Sequence, residues 1–261
     1  MDAEHKPVAL VTGATSGIGL AVARGLSRLD HRLHICARDA DGVADTVKSL
    51  RSEGVEVDGT VCDVSDPEQI EALVTAAVER WGRIDVLVNN AGRSGGGVTA
   101  EVTDELWTDV IDTNLNSVFF VTKQVLKRGG MLDRGHGRII NIASTGGKQG
   151  VVFGAPYSAS KHGVVGLTKA WGLELAKTGV TVNAVCPGFV ETPMAERVRD
   201  HYSDVWGVST DEVFERVTNR VPMGRYVEPE EVSAMVDYLV GDGAAAVTAQ
   251  ALNVCGGLGN Y

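Results

Sequence analysis

Short runs of aliphatic and β-branched residues alternate along the chain with longer stretches whose apolar positions recur at helical spacing. Val8–Thr12 predicts a first strand, and a glycine-rich turn leads from it into a helix around Leu20–Leu29. Further strands are predicted at Arg32–Ala37, Val55–Cys62, Ile84–Asn89, Gly137–Ala143, Thr181–Val185 and Ala251–Val254. Helices are predicted between them at Gly42–Glu53, Pro67–Trp81, Glu105–Arg128 and Tyr157–Thr178. Strands separated by helices of this length require βαβ crossovers, hence a parallel sheet. Several strands are apolar throughout, as expected when helices cover both faces. The pattern predicts a doubly wound α/β fold in one dinucleotide-binding and catalytic domain spanning residues 1–261. One stretch breaks the alternation: 192–226 is polar and aromatic (Tyr202, Trp206, Phe214, Tyr226), and its position predicts a lid over the carboxyl edge of the sheet.

Composition narrows the possible partners. The formal net charge of −10 argues against a nucleic acid held by the overall field. No apolar run approaches the ~20 residues needed to span a bilayer, and Met1 to Pro7 carry no signal-peptide core, so a cytoplasmic protein with no membrane partner is expected. Cys36, Cys62, Cys186 and Cys255 lie far apart in sequence and beside apolar runs, which predicts buried small side chains rather than a metal or redox site. No metal is expected.

The turn after the first strand, Thr12-Gly-Ala-Thr-Ser-Gly-Ile-Gly19, suits a dinucleotide. Gly13, Gly17 and Gly19 allow close approach of a pyrophosphate, and the following helix offers free N–H groups. Thr15 and Ser16 add hydroxyl donors, and Thr12 and Ile18 complete the cradle. The second strand ends at Arg38 with no acid at its tip. An arginine there accommodates the 2′-phosphate of NADP, whereas NAD calls for a carboxylate. Asp39 and Asp41 follow on the approach to the next helix and are discounted, so NADP(H) is expected. Asp63 and Val64 are placed to receive the adenine edge. Asn90, Ala91 and Gly92, closing the fourth strand, would form a wall beneath it as well as spacing sheet from helix. Pro187 and Gly188, with Val190 and Thr192 beyond, are placed to meet the nicotinamide amide.

Tyr157 and Lys161 are four residues apart, on one face of a predicted helix. An ammonium near a phenol stabilises the phenolate; a fall from about 10 to about 7 corresponds to ~4 kcal/mol. A phenol so tuned protonates a developing alkoxide at neutral pH. Ser144 ends the fifth strand, where its hydroxyl would hold a substrate carbonyl against Tyr157. Asn114 is an amide among apolar neighbours and would need partners if buried; a water beside Lys161 would supply one.

Taken together, the TGxxxGIG turn at 12–19, NNAG at 89–92, Asn114, Ser144, YxxxK at 157–161 and the PG turn at 187–188 resemble the short-chain dehydrogenase/reductase family over essentially the whole chain. The resemblance implies a seven-stranded doubly wound sheet and hydride transfer between nicotinamide and carbonyl. It also implies Ser144 positioning the substrate, Tyr157 as acid, Lys161 binding the nicotinamide ribose, and Asn114 holding a relay water. Family members commonly form tetramers through the helices around 105–128 and 157–178.

Residues 144–163, 92–97, 186–194, 201–204 and 253–261 resemble more narrowly the ketoreductases of aromatic (type II) polyketide synthases. These reduce one ketone of a poly-β-ketone carried on an acyl carrier protein. By this resemblance Ser94, Gly95, Gly96, Thr145, Gln149, Val151 and Tyr202 would line the substrate pocket with Ser144 and Tyr157, and Arg38 and Arg93 would attract the acidic carrier. Such enzymes often carry proline where this chain has Ser94. A 3-oxoacyl-carrier reductase, a small-molecule alcohol dehydrogenase and a non-catalytic cofactor sensor remain as alternatives; an intact Ser/Tyr/Lys set argues against the sensor.

Overall fold

The computed structural model describes residues 6–261; of the opening segment Met1–Pro7, the part up to His5 lies outside the described residues. The chain runs β1 (Val8–Thr12), α1 (Gly17–Arg28), β2 (Arg32–Ala37), α2 (Ala40–Ser52), β3 (Val57–Val61), α3 (Pro67–Trp81) and β4 (Val86–Asn89). It continues through α4 (Asp104–Ile111), a π-helical turn (Asp112–Asn116), α5 (Ser117–Arg128), α6 (Met131–Arg134), β5 (Gly137–Ile142) and a 3₁₀ turn (Thr145–Gly147). It closes with α7 (Ala155–Glu174), β6 (Val180–Pro187), α8 (Pro193–Trp206), α9 (Thr210–Thr218), α10 (Pro229–Val240) and β7 (Ala251–Val254).

The strands form one seven-stranded sheet in the order β3-β2-β1-β4-β5-β6-β7, with every pairing parallel. Every residue of β1, β5 and β6 is buried, because both faces are covered. Leu26, Leu50, Val236 and Leu239 of α1, α2 and α10 pack one face. Ile70, Leu73, Val121 and Val125 of α3 and α5 pack the other. The sequence order reverses between β1 and β4, and the crevice at their carboxyl ends is where such sheets take ligands.

Local chemistry sets the helix starts. Asp66 caps α3, accepting from the Glu68 and Gln69 N–H groups ahead of Pro67, and Gly82 ends it at φ +79°. Thr103, Thr192 and Ser209 cap α4, α8 and α9 in the same way.

The predicted helix 105–128 is interrupted. The π turn at 112–116 carries Asn114, which is fully buried, and such turns gather where a side chain must leave helical register. Helix α10 was not foreseen, although Glu228 and Glu231 form a reciprocal capping box around Pro229. It lies against α1 where Gly25 has no side chain: a Cβ there would come within 2.3 Å of Ser233 Oγ.

Candidate active site

The glycine turn is fixed from beneath by β4. Thr12 is buried, and its Oγ1 accepts from the backbone N–H groups of Asn90 and Ala91, both at 3.0 Å. Asn90 Nδ2 donates to the Thr12 and Gly13 carbonyls at 2.9 Å each. Gly13 sits at φ +64°, and a Cβ on Gly19 would lie 2.2 Å from the Gly13 carbonyl oxygen. The turn therefore tolerates no side chain at either position. Ser16 caps α1 without a side-chain bond to the helix, which leaves its hydroxyl and the first-turn N–H groups for an anion. Thr192 overhangs this cradle, since a Cβ on Gly17 would meet Thr192 Cγ2 at 3.1 Å.

Arg38 is exposed just past β2 and makes no ion pair among the described residues. Asp39 is engaged elsewhere: its carboxylate accepts the Gly42 N–H at 2.9 Å and caps α2. Arg38 thus presents an unpaired positive charge at the strand tip beside the cradle, which fits a phosphate better than a ribose diol. Asp63 accepts from the Ser65 N–H and hydroxyl at 2.9 and 2.7 Å, and Val64 is buried next to it. Across the crevice, Gly188 donates to the Val254 carbonyl at 3.0 Å and packs on Cys255, fixing the turn after β6.

Ser144 leaves β5 in extended conformation and caps the 3₁₀ turn, accepting the Gly146 N–H at 2.9 Å. Its hydroxyl also hydrogen-bonds the Tyr157 phenol. Gly146 is the packing point of this cluster: a Cβ there would come within 2.9 Å of Val151, 3.3 Å of Ser144 Oγ and 3.3 Å of Tyr157 Cε1. Lys161 is buried and donates to the Ile142 carbonyl at 2.8 Å, with Nζ 5.9 Å from the Tyr157 ring centre. Burial lowers the Lys161 pKa to about 8. Asn114 Oδ1 accepts the Arg93 N–H at 2.8 Å, and its Nδ2 donates to the Arg93 carbonyl and Ser160 Oγ. The π turn thereby ties the β4 loop to α7.

This arrangement offers an acid (Tyr157), a polar anchor beside it (Ser144), a buried cation behind it (Lys161) and a dinucleotide cradle next door. The family model for short chain dehydrogenases matches residues 7–203. The chain belongs to that family.

Among curated relatives, this short-chain dehydrogenase is 74% identical over 256 residues to a Streptomyces violaceoruber protein named as ketoacyl reductase 1 of the granaticin polyketide synthase, covering 98% of this chain and 94% of that one. A 3-oxoacyl-[acyl-carrier-protein] reductase of Vibrio cholerae is 38% identical, with 99% of each chain covered. Among solved structures, a point variant of actinorhodin polyketide ketoreductase with NADPH superposes with a TM-score of 0.96 at 71% identity, covering 98% of both chains.

The structure adds detail to several sequence expectations in this short-chain dehydrogenase. Tyr157 was expected to titrate below its ordinary value. Burial instead pushes the phenol above 10, opposed by the Ser144 hydrogen bond. The physical reason is the direction of Lys161: helical spacing puts it on the face of Tyr157, but its ammonium is bonded to a β5 carbonyl. Gly95 packs on Val110, and Gly96 lies against the Phe153 carbonyl, where a Cβ would come within 1.9 Å, so neither position has room for a side chain. Tyr202 stacks on Trp206 with ring centres 4.7 Å apart, and both pack against Val213, Val217 and Tyr226 within the 192–226 segment. Arg93 forms an ion pair with Asp109, so its charge is already countered.

Residues outside the predicted catalytic and binding set hold the site together. Buried Asn89 donates to Thr122 Oγ1 at 3.0 Å and Asn141 Oδ1 at 2.9 Å, and Asn141 donates to Thr168 at 2.9 Å. This chain of bonds joins α5, β4, β5 and α7 beneath the catalytic cluster. The signal was present: an asparagine inside each of two strands with apolar neighbours. The Cys36 thiol of β2 and the Cys62 thiol, just past the end of β3, also interact within one buried cluster, which their sequence spacing does not reveal.

Proposed function

We propose that the protein is an NADPH-dependent ketoreductase that reduces one ketone of a carrier-bound aromatic polyketide to a secondary alcohol. The convergence of Ser144, Tyr157 and Lys161 beside the Gly13–Gly19 cradle carries the reaction type. Identity of 74% and 71% to proteins named for polyketide reduction, against 38% to a fatty-acid-type reductase, favours the polyketide substrate.

The cradle, Ser16, Arg38, Asp63, Val64, Ala91, Gly92 and the segment from Pro187 to Thr192 would hold the dinucleotide, with Arg38 on the 2′-phosphate. When bound, NADPH supplies a hydride to the substrate carbon. Ser144 donates a hydrogen bond to the ketone oxygen and orients it toward Tyr157. Tyr157 Oη delivers the proton to that oxygen as negative charge develops. Lys161 would hold the nicotinamide ribose behind the phenol, and water drawn in beside Asn114 would restore the proton to Tyr157. Thr145, Gln149, Val151 and Ser94 border the ketone, with Tyr202 stiffening a lid formed by 192–226. An acyl carrier protein would present the substrate, steered by the exposed Arg38 edge more than by the paired Arg93. Trp107, Phe119 and Leu173 stand exposed on α4, α5 and α7 and would be covered in a homotetramer. The setting is the cytoplasm.

The test is a substrate comparison with NADPH. Turnover of a fused bicyclic ketone such as trans-1-decalone, with little turnover of linear 3-oxoacyl thioesters, is the expected pattern; the reverse would sink the polyketide assignment. Arg38→Asp is expected to lower kcat/KM for NADPH by about 10-fold to 100-fold, the size of a lost charge-assisted pair, and to leave NADH less affected. A variant that kept the wild-type preference would remove Arg38 from the 2′-phosphate site.

A further inference from the structure

Lys148 lies four residues beyond Ser144, at the end of the 3₁₀ turn that Ser144 caps, and nothing in the mechanism above uses it. Its ammonium has three donors, and all three are placed. They reach the Ala251 carbonyl at 3.0 Å, Asn253 Oδ1 at 2.9 Å and the Tyr261 carbonyl at 2.9 Å. The same ammonium stands 5.2 Å from the centre of the Tyr261 ring. None of these partners is a side-chain carboxylate: the ammonium grips the 251–261 segment itself.

Both ends of this grip are functional. On one side, the Lys148 N–H donates to the Thr145 carbonyl at 3.0 Å and the Gly147 N–H to the Ser144 carbonyl at 2.9 Å. Tyr261 Oη reaches the Thr145 carbonyl at 3.5 Å. On the other side, Asn253 Nδ2 closes the segment on itself through the Gly259 carbonyl at 2.9 Å. Gly188 donates to Val254, and Met223, in the segment leading out of the lid helices, donates to the Gly256 carbonyl at 3.0 Å. One stretch, 251–261, therefore touches the Ser144 turn, the turn after β6 and the base of the lid.

We propose that Lys148 is a positioning residue: by clamping 251–261 it fixes the turn that aims Ser144 and couples that turn to the lid. The inference rests on the ketoreductase reading, in which Ser144 must meet the substrate oxygen within a narrow geometry. Misplacement of a positioning group by about 1 Å can cost up to 10²-fold in rate.

The experiment compares wild type, Lys148→Met, Lys148→Arg, Asn253→Leu and the Lys148→Met/Asn253→Leu double variant with trans-1-decalone and NADPH, recording association state alongside. Lys148→Met is expected to lower kcat by about tenfold or more while the KM for NADPH stays within about twofold. Lys148→Arg should recover most of the loss. The double variant should be little worse than the poorer single one, because both break one clamp. A kcat for Lys148→Met within about twofold of wild type would overturn the proposal, as would additive losses or a fall that tracks NADPH binding or subunit dissociation. If Lys148→Met does not fold, Lys148→Gln, which keeps a shorter donor, takes its place under the same criteria. Wild-type protein that reduces no ketone would instead count against the ketoreductase reading itself.

Discussion

Tyr157→Phe is expected to lower kcat for ketone reduction by about 10³-fold, within the range that loss of a positioned general acid produces. The substitution removes one oxygen and keeps the ring that packs beside Gly146 and Val151. The nearest alternative acid is poorly placed. Lys161 is bonded to the Ile142 carbonyl, and Ser144 accepts from the Gly146 N–H. Cofactor affinity should change little, because the cradle is organised by Thr12, Asn90 and the α1 terminus, none of which depends on the phenol. Loss of NADPH absorbance under saturating ketone measures the first quantity, and fluorescence titration with NADPH measures the second. A variant retaining a tenth of wild-type kcat would exclude Tyr157 as the proton donor.

The same pair of residues shows what the sequence made legible. Period and order were enough for β1, β2 and α3, which begin and end where the apolar pattern and the Asp66-Pro67 cap place them. The crevice location of Ser144 and the glycine turn followed from topology, since each stands just past the carboxyl end of a strand, while Tyr157 opens the helix that the β5 loop leads into. Side-chain direction did not follow. Helical spacing fixes which face Lys161 occupies, but only the position of the β5 carbonyl decides where its ammonium points. Asn114 illustrates a related limit. Its need for partners was readable, yet the partners are the Arg93 backbone and Ser160, and meeting them forces the π turn that splits a predicted continuous helix.

Glycines divide along the same line. Those of the TGxxxGIG turn announce themselves by clustering after a strand. Gly146 carries no comparable signal. It matters because three side chains from two loops and a helix close on the place its Cβ would take, a coincidence of tertiary structure. The buried Asn89–Asn141 pair lies between these cases: polar residues inside apolar strands flag a need, and register pairs them directly across β4 and β5.

Lys161→Met is expected to inactivate the enzyme and, in the absence of cofactor, to stabilise it at neutral pH. Burial lowers the lysine pKa from 10.5 to about 8, so holding the charged form inside the fold at pH 7 costs about 3 kcal/mol. Methionine fills similar volume without that cost. The Ile142 carbonyl loses its donor, which takes back about 1–3 kcal/mol. The net gain is small, on the order of 1 kcal/mol, but its pH dependence is distinctive. Between about 8 and 10.5 the unfolded chain keeps a proton that the folded chain has released, so wild-type stability rises with pH across this window. The advantage of the variant must therefore shrink above pH 8 and reverse within about one pH unit, near pH 9, until by about 10.5 only the lost hydrogen bond remains. Thermal unfolding of both proteins at pH 7 and pH 10, taken as the difference between them, reads this directly. A variant that is equally destabilised at both values would show that Lys161 is held without strain on the fold. The expected crossing would show a charge kept in the core at the expense of stability, for the proton chemistry it serves.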